Sequence, residues 1–297
     1  MTGSVVVGYT ATDAGADAVA LGTRLARCLK ADLHLVIVMP VEGTRNAAVA
    51  PERAYEEYIR TQGREWLAEA MTAIPADIVR HGHVRFSESF AAGLIAAGEE
   101  FDARLIVIGA AGGGLFGRHR LGSVASELLH SSTIPVALAP AGTAAGLNSL
   151  APIGRITVAI GTRPGADALL DEAVTLATDA GSALRLVSLV PFDAPPGLDT
   201  GEIRQIGATH GGDVLSTAKA ALPAEVEVIV EQAPGDSVED AVAHLPWQEG
   251  EVMLVGSSRL AQPRRLFLGS TAAKMLHVLP VPMIVVPRTR AEAGVRP

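Results

Sequence analysis

Residues 105–130 read LIVIGAAGGGLFGRHRLGSVASELLH, and residues 252–277 read VMLVGSSRLAQPRRLFLGSTAAKMLH. Gly109 and Gly256, Gly122 and Gly269, and Pro135 and Pro282 share one offset, since 256 − 109, 269 − 122 and 282 − 135 all equal 147. The chain is therefore a duplicated unit. In each copy a run of four apolar, β-prone residues ends in a glycine, and a later Gly-Ser opens a helical pattern. The loop thus joins a strand end to a helix N-terminus, where free N–H groups and the helix dipole favour anions such as phosphates.

Working outward, unit one begins with a buried-strand signal at Val5–Val7. A helix follows from Asp13 to Lys30, in which Ala14, Ala18, Leu21, Leu25 and Leu29 recur at three-to-four spacing. A strand is expected at Leu33–Met39, an irregular stretch to Ala50, and a helix from Pro51 to Thr72, with proline suited to its first turn. Next come a strand at Ile78–Arg85, a helix at Ala91–Phe101, a strand at Leu105–Ile108, the glycine loop, a helix at Ser123–His130 and a strand at Val136–Ala139. Unit two repeats the order: Ile156–Ile160, Ala166–Ala180, Ala183–Val190, Gly201–Ala221, Glu225–Glu231, Ser237–His244, Val252–Val255, Thr271–His277 and Met283–Val286.

Strands that alternate with helices and are apolar on both faces imply parallel sheets with right-handed crossovers. The expected fold is α/β: two tandem five-stranded, doubly wound domains, residues 1–141 and 153–290. The stretch Ala141–Pro152, rich in small and polar residues, reads as a linker, and the tail after Pro287 reads as frayed. In such sheets ligands sit beyond the carboxyl ends of the strands, where the strand order reverses. The loop carrying Gly109 belongs on that edge, next to the loop after the first strand.

Composition narrows the function classes. With 297 residues, 48% of them hydrophobic, the chain can bury two substantial cores. A net charge of −8 gives no overall attraction to nucleic acid or to an anionic membrane, and aromatics at 4% are too scarce for base-stacking platforms. The single cysteine, Cys28, excludes an intrachain disulfide and a multi-cysteine metal site, and reads as a buried, inert thiol. No basic leader precedes Val5, and no apolar run reaches the roughly 18 residues needed to cross a bilayer. A cytoplasmic protein with no membrane span is expected.

Two better-known signatures overlap the loop and fail. Residues 112–117 formally match G-x-G-x-x-G, but that dinucleotide fingerprint belongs after the first strand. Residues 112–119 approach a P-loop, yet Arg118 stands where lysine is required and His119 where a magnesium-binding Ser or Thr is required. The two copies share only the strand-end glycine and the Gly-Ser. Gly109 admits close approach of backbone to a ligand, Gly112 does the same for phosphates, and Ser123 offers a hydroxyl and a free N–H. The competing reading is that Gly-Ser merely caps the helix.

On these residues the chain resembles the universal stress protein family, whose ATP-binding members carry G-2x-G-9x-G-[S/T] after the fourth strand of a five-stranded α/β domain. Unit one carries the pattern in full at Gly109, Gly112, Gly122 and Ser123, and each unit ends in an apolar strand bounded by prolines five residues apart, Pro135–Pro140 and Pro282–Pro287. The resemblance implies adenine near the backbone of Val38, with Gly109, Gly112, Gly122, Ser123 and Val124 around ribose and phosphates. It implies ATP or another adenine nucleotide, with magnesium as a companion ion, and edge-to-edge pairing of the final strands. Thr10 stands where the family usually has an Asp, as Gly161 does in unit two, so weaker or altered nucleotide binding is expected. In unit two Gly256, Gly269 and Ser270 remain, but Arg259 replaces the second glycine and either neutralises a phosphate or fills its place.

No catalytic constellation stands out. Arg118, His119, Arg120, Arg264 and Arg265 lie in the nine-residue spacers and read as phosphate-screening or solubilising. His130 and His277 close the helices after Gly-Ser and read as partners of terminal carbonyls. His81 and His83 alternate on a strand, a metal-ligand arrangement only if a third ligand approaches, and read as ordinary strand residues. Tyr55 and Tyr58, three apart on a helix, read as packed on the domain rather than as a nucleotide flap. The leading expectation is a non-catalytic, adenine-nucleotide-binding stress regulator acting on itself, as a homo-oligomer, or on a regulatory protein partner. Slow ATP hydrolysis or nucleotidyl transfer is one alternative, and a nucleotide-free interaction scaffold is another.

Overall fold

Val5, Val6 and Val7 are fully buried in succession, as are Val252, Met253 and Leu254, so these strands are covered on both faces. A computed structural model describes residues 3–40, 50–110, 121–146, 151–161, 166–191, 201–220, 222, 226–258 and 266–287. The first half runs β1 (Ser4–Gly8), α1 (Asp13–Leu29), β2 (Asp32–Pro40), α2 (Ala50–Thr72), β3 (Arg80–Ser87), α3 (Phe90–Glu100), β4 (Ala103–Gly109), α4 (Ser123–Ser131) and β5 (Val136–Ala139). The second runs β6 (Arg155–Ala159), α5 (Ala166–Ala180), β7 (Ala183–Pro191), α6 (Gly201–Ala220), β8 (Val228–Gly235), α7 (Val238–Ala243), β9 (Glu251–Gly256), α8 (Ser270–Val278) and β10 (Met283–Val286). No described helix is long and apolar enough to cross a membrane.

All ten strands form one sheet in the order β3-β2-β1-β4-β5-β10-β9-β6-β7-β8. Neighbours are parallel within each half, and β5 and β10 meet antiparallel, with Leu138, Ala137 and Val136 opposite Met283, Ile284 and Val285. The expected pairing of the final strands is thus internal to the chain. One core lies on the face of α1, α2, α5 and α6, with Leu21, Leu67, Leu169 and Leu215. A second lies on the face of α3, α4, α7 and α8, with Leu94, Leu128, Val242 and Met275. The first core is continuous across both halves.

Two edge strands sit further along the chain than expected. β3 begins at Arg80 rather than Ile78, which instead plugs the first core. β8 begins at Val228 rather than Glu225 and runs on past Glu231 through Pro234 and Gly235, pairing them with Val190 and Pro191. β8 is an edge strand, where a proline's missing donor is tolerated. Tyr58 does not pack on the domain as its helical spacing suggested: it is 63% exposed on α2, while the side chain of Tyr55 lies outside the described residues. The start of the linker is held rather than loose, because buried Asp17 of α1 accepts from the N–H groups of Gly142 (2.9 Å) and Ala144 (2.7 Å). The residues after Pro287 also lie outside the described set.

The second half carries a buried ionic network. The Glu251 carboxylate, fully enclosed, accepts from Arg155 (2.5 Å), from Arg185 (2.7 Å) and from the hydroxyl of Thr157. Arg185, also enclosed, donates to Thr157 (2.9 Å) and Glu231 (3.0 Å), and its guanidinium lies 5.0 Å from the centre of the Trp247 ring. Removing the central anion leaves Arg155 in a low-dielectric site with no carboxylate partner and Arg185 with Glu231 alone. Glu251→Ala should therefore cost about 3–5 kcal/mol of unfolding free energy, read as a lowered urea midpoint. An unchanged midpoint would show that the two arginines find other partners.

Candidate functional site

β1 has β2 on one side and β4 on the other, so α1 leaves one face of the sheet while α3 arrives on the opposite face. That reversal separates the carboxyl ends of β1 and β4, and a cleft of about 240 Å³ opens there. Its walls come from Gly8, Thr10, Ala14 and Gly15 around the start of α1, from Phe90 and Leu94 of α3, and from Ile108 and Gly109 of β4. Gly122, Ser123, Val124 and Ala125 at the start of α4 complete it. No charged side chain lines this cleft among the described residues.

The helix starts around it differ in one respect. Thr12 caps α1 by accepting from the Gly15 N–H (3.3 Å), and Ser89 caps α3 by accepting from the Ala92 N–H (3.0 Å). Ser237 caps α7 in the same way, through the Asp240 N–H (3.0 Å). α4 and α8 begin instead at Gly122 and Gly269, both with extended backbone, and no side chain caps either one. The first intrahelical bond of α4 runs from the Ser126 N–H to the Gly122 carbonyl (3.0 Å). The donors of Ser123, Val124 and Ala125 therefore stand at the cleft wall without intrahelical acceptors, at the positive end of the helix dipole. Such a wall suits an anion held by backbone, with the Thr10 and Ser123 hydroxyls as further polar groups.

The glycines owe their identity to different neighbours. A Cβ on Gly109 would lie 1.9 Å from the carbonyl oxygen of Ala14, and one on Gly15 would lie 1.8 Å from that of Thr10. Gly109 is thus required by the approach of α1 to β4, a closer constraint than the ligand approach inferred from sequence. Its repeat partner Gly256 faces only Leu169, whose Cδ2 would be 3.6 Å from a new Cβ. Gly269 is tighter, with the Ser258 Cβ at 3.1 Å.

Of the residues singled out in sequence, Thr10, Gly109, Gly122, Ser123 and Val124 line the first cleft. Val38, expected to act through its backbone, is not in that lining, and its side chain is buried against Gly93 of α3. Gly112, Arg118, His119, Arg120, Arg259, Arg264 and Arg265 lie outside the described residues. The second half has an equivalent cleft of about 320 Å³ that includes Gly161, Gly256, Ser257, Ser258 and Gly269, but Ser270 is not part of its lining. Sequence reasoning missed Ala14, Gly15, Phe90 and Leu94. Their signal was the Ser89 cap followed by an apolar first turn, and the glycine two residues into α1.

Other candidates settle into structural roles. Burial pushes the Cys28 thiol above its ordinary pKa, which disfavours the reactive thiolate. His130 approaches the Ser126 carbonyl through Nδ1 and sets its ring edge-on to Phe267 with centroids 4.8 Å apart. His81 and His83 are joined on their strand pair by His34, whose Nδ1 lies 3.0 Å from the Nε2 of His83.

A profile of the universal stress protein family matches residues 1–140 and 152–287. A universal stress protein of Mycobacterium tuberculosis (strain ATCC 25618 / H37Rv) is 26% identical over 293 residues, covering 96% of this chain and 99% of its own length. The solved structure of a universal stress protein from Archaeoglobus fulgidus superposes with a TM-score of 0.65 at 19% identity, covering 96% of this chain and 98% of that one. A functionally unknown protein from Pseudomonas aeruginosa gives 0.56 at 16% identity, with 96% and 92% covered. These two structures share the fold.

The unequal glycines generate a paired test. Gly109→Ala should lower stability by about 1–3 kcal/mol through its clash with backbone, while Gly256→Ala should stay within about 0.5 kcal/mol of the parent. Chemical denaturation of the two variants side by side measures the difference, and equal losses would contradict the packing account.

Proposed function

The chain belongs to the universal stress protein family, and we propose on that premise that its first half is a binding module for an adenine nucleotide, with the phosphates at the start of α4. The observation that carries this reading is the uncapped α4 N-terminus at the cleft, reached by the complete G-2x-G-9x-G-S spacing of Gly109, Gly112, Gly122 and Ser123. The cleft chemistry fits such a ligand. Backbone donors of Ser123, Val124 and Ala125 offer hydrogen bonds to phosphate oxygens, and the apolar surfaces of Phe90, Leu94 and Ile108 suit a base or ribose. Thr10 supplies a hydroxyl where the family's usual carboxylate would accept a hydrogen bond, so the sugar is held more weakly than by an Asp. A magnesium ion accompanying the phosphates would find the Thr10 and Ser123 hydroxyls as its protein-side neighbours, and its charge would offset theirs.

The described lining holds no His, Asp, Glu, Lys or Cys to act as a general base or nucleophile. Occupancy, rather than turnover, is then the signal the domain carries, passed to another copy of the chain or to a regulatory partner. The second cleft keeps the uncapped helix start, at α8, but has Arg259 in place of the second glycine.

The test is to denature the purified chain, identify released nucleotide by mass spectrometry and count it per chain, then titrate ATP while following the melting transition. One adenine nucleotide per chain is expected, with a gain of about 2.7 kcal/mol at 100 times the dissociation constant. Gly122→Val, which the extended backbone there accepts, should abolish the gain by placing a branched side chain at the phosphate wall. Two nucleotides per chain would make Arg259 a working phosphate ligand. Absence of both copurified nucleotide and an ATP-induced shift would overturn the proposal in favour of a scaffold, and phosphate release well above the Gly122→Val control would replace it with a hydrolase.

A further inference from the structure

Away from both clefts, at the amino ends of β2 and β3, three imidazoles and a carboxylate gather on the α3 face of the sheet. His34 and His81 are opposite one another across the β2–β3 pair, and their rings stack with centroids 4.8 Å apart. His83 lies two residues further along, 5.2 Å from His34 ring to ring, and Phe101 covers His34 at 4.2 Å. Asp32 precedes His34 by two residues on the same side of its strand. One donor atom each from Asp32, His34 and His81 lies within 4.8 Å of the others.

The repeat shows what this place is for in the other half. His34 is the third residue of β2, and Arg185 is the third residue of the equally long β7. His83 is the fourth residue of β3, and Glu231 is the fourth of β8. Phe101, which follows α3, corresponds to Trp247, which follows α7 and carries the Arg185 guanidinium on its face. In the second half this location thus holds a permanent cation between carboxylates under an aromatic ring. In the first half it holds imidazole nitrogens and the Asp32 carboxylate, and Asp32 forms no ion pair with an arginine or lysine among the described residues. The ligand atoms are present, and the cation of this half, Arg85, lies 5.6 Å from the centre of the Phe101 ring and is engaged by Glu100 (2.8 Å) rather than by Asp32.

We propose that Asp32, His34 and His81 form a binding site for a divalent cation of the zinc class, with His83 as a positioning residue that orients His34. The chemistry of the donors favours such an ion: two imidazoles and a carboxylate are a borderline set, unlike the all-oxygen shells of calcium or magnesium. His83 takes the outer position that a carboxylate, carbonyl or water usually fills beside a metal-bound imidazole: with the proton on His34 Nδ1 donated to His83 Nε2 (3.0 Å), the His34 Nε2 lone pair is the one left to a metal. Metal–nitrogen bonds of about 2.0–2.1 Å place tetrahedral donors about 3.4 Å apart, so the cluster must contract by about 1.4 Å. His81 supplies that movement, being exposed on the edge strand β3. The bound ion would tie this edge strand to β2, as the Arg185–Glu231 pair ties β8 to β7.

The experiment is equilibrium dialysis of the untagged full chain against zinc chloride, with cobalt(II) as a spectroscopic substitute. One saturable zinc per chain is expected, a melting temperature raised by zinc, and a tetrahedral visible absorption with cobalt. His81→Ala and Asp32→Asn should each remove both the saturable site and the zinc-induced shift, while melting like the parent without metal. His83→Gln should weaken binding by about 10–100-fold, as loss of an outer partner does. Gly122→Val should leave zinc binding intact, which separates this site from the nucleotide cleft. No saturable zinc or cobalt binding, or binding unchanged in both His81→Ala and Asp32→Asn, would overturn the proposal.

Discussion

The antiparallel seam between β5 and β10 is the constraint on which the rest of the molecule depends. Each half alone would present a short, wholly apolar terminal strand, Val136–Ala139 or Met283–Val286, as an open sheet edge. Pairing them removes both edges at once. The register places Ala137 opposite Ile284, residues that differ by the repeat offset of 147, so a local two-fold axis passes through that pair. The seam is an isologous interface of the kind found in symmetric dimers, made within one chain. Because the strands of the two halves then run in opposite directions, the carboxyl ends of β1 and β4 and those of β6 and β9 lie at opposite edges of the sheet. The two clefts face away from each other.

Much of this was legible in sequence because it rests on periodicity. Buried strands such as Val5–Val7 and Val252–Val255 read as unbroken apolar runs, and the doubled Gly…Gly-Ser spacing located both strand-to-helix loops. Edge strands were harder. β8 carries Glu231 and Gln232 at its middle and ends in Pro234 and Gly235, so the apolar run stops at Val230 while pairing to β7 continues the strand to Gly235. The clefts were legible only in part, since a motif marks the loop that carries it and not the segments that pack opposite. Phe90 and Leu94 reach the first cleft through the crossover of α3, and His34 meets His81 and His83 only through strand register. Neither relation leaves a short-range signature.

Comparing the halves separates what the fold needs from what each copy does with it. Gly109 cannot carry a side chain because α1 presses its Ala14 carbonyl against β4, whereas Gly256 is free of that demand. The shared glycine therefore does not by itself mark a shared ligand. The uncapped helix start is the stronger common feature, for a serine or threonine at position 122 or 269 would satisfy an orphan donor and add stability. Both copies forgo that cap at the strand ends of their half that border a cleft. Under the α3 and α7 face the copies diverge in the opposite sense, one holding a full ionic network and the other three imidazoles with the Asp32 carboxylate.

α4 joins these features physically. Its first residues form a wall of the first cleft, and its last turn supports the segment leading into α8: the Leu129 carbonyl accepts from the Leu268 N–H (3.1 Å), and the Ser132 carbonyl from the Leu266 N–H (2.8 Å). Between these bonds, Phe267 takes the edge of the His130 ring, donates its N–H to the Ser257 hydroxyl (2.7 Å) and accepts from the Ser258 N–H (2.8 Å). Ser257 and Ser258 line the second cleft. This nine-residue helix, about 13 Å long, thus spans from the wall of the first cleft to the hydrogen bonds that shape the opposite one. The seam that sends the clefts to opposite edges of the sheet also lays this helix between them.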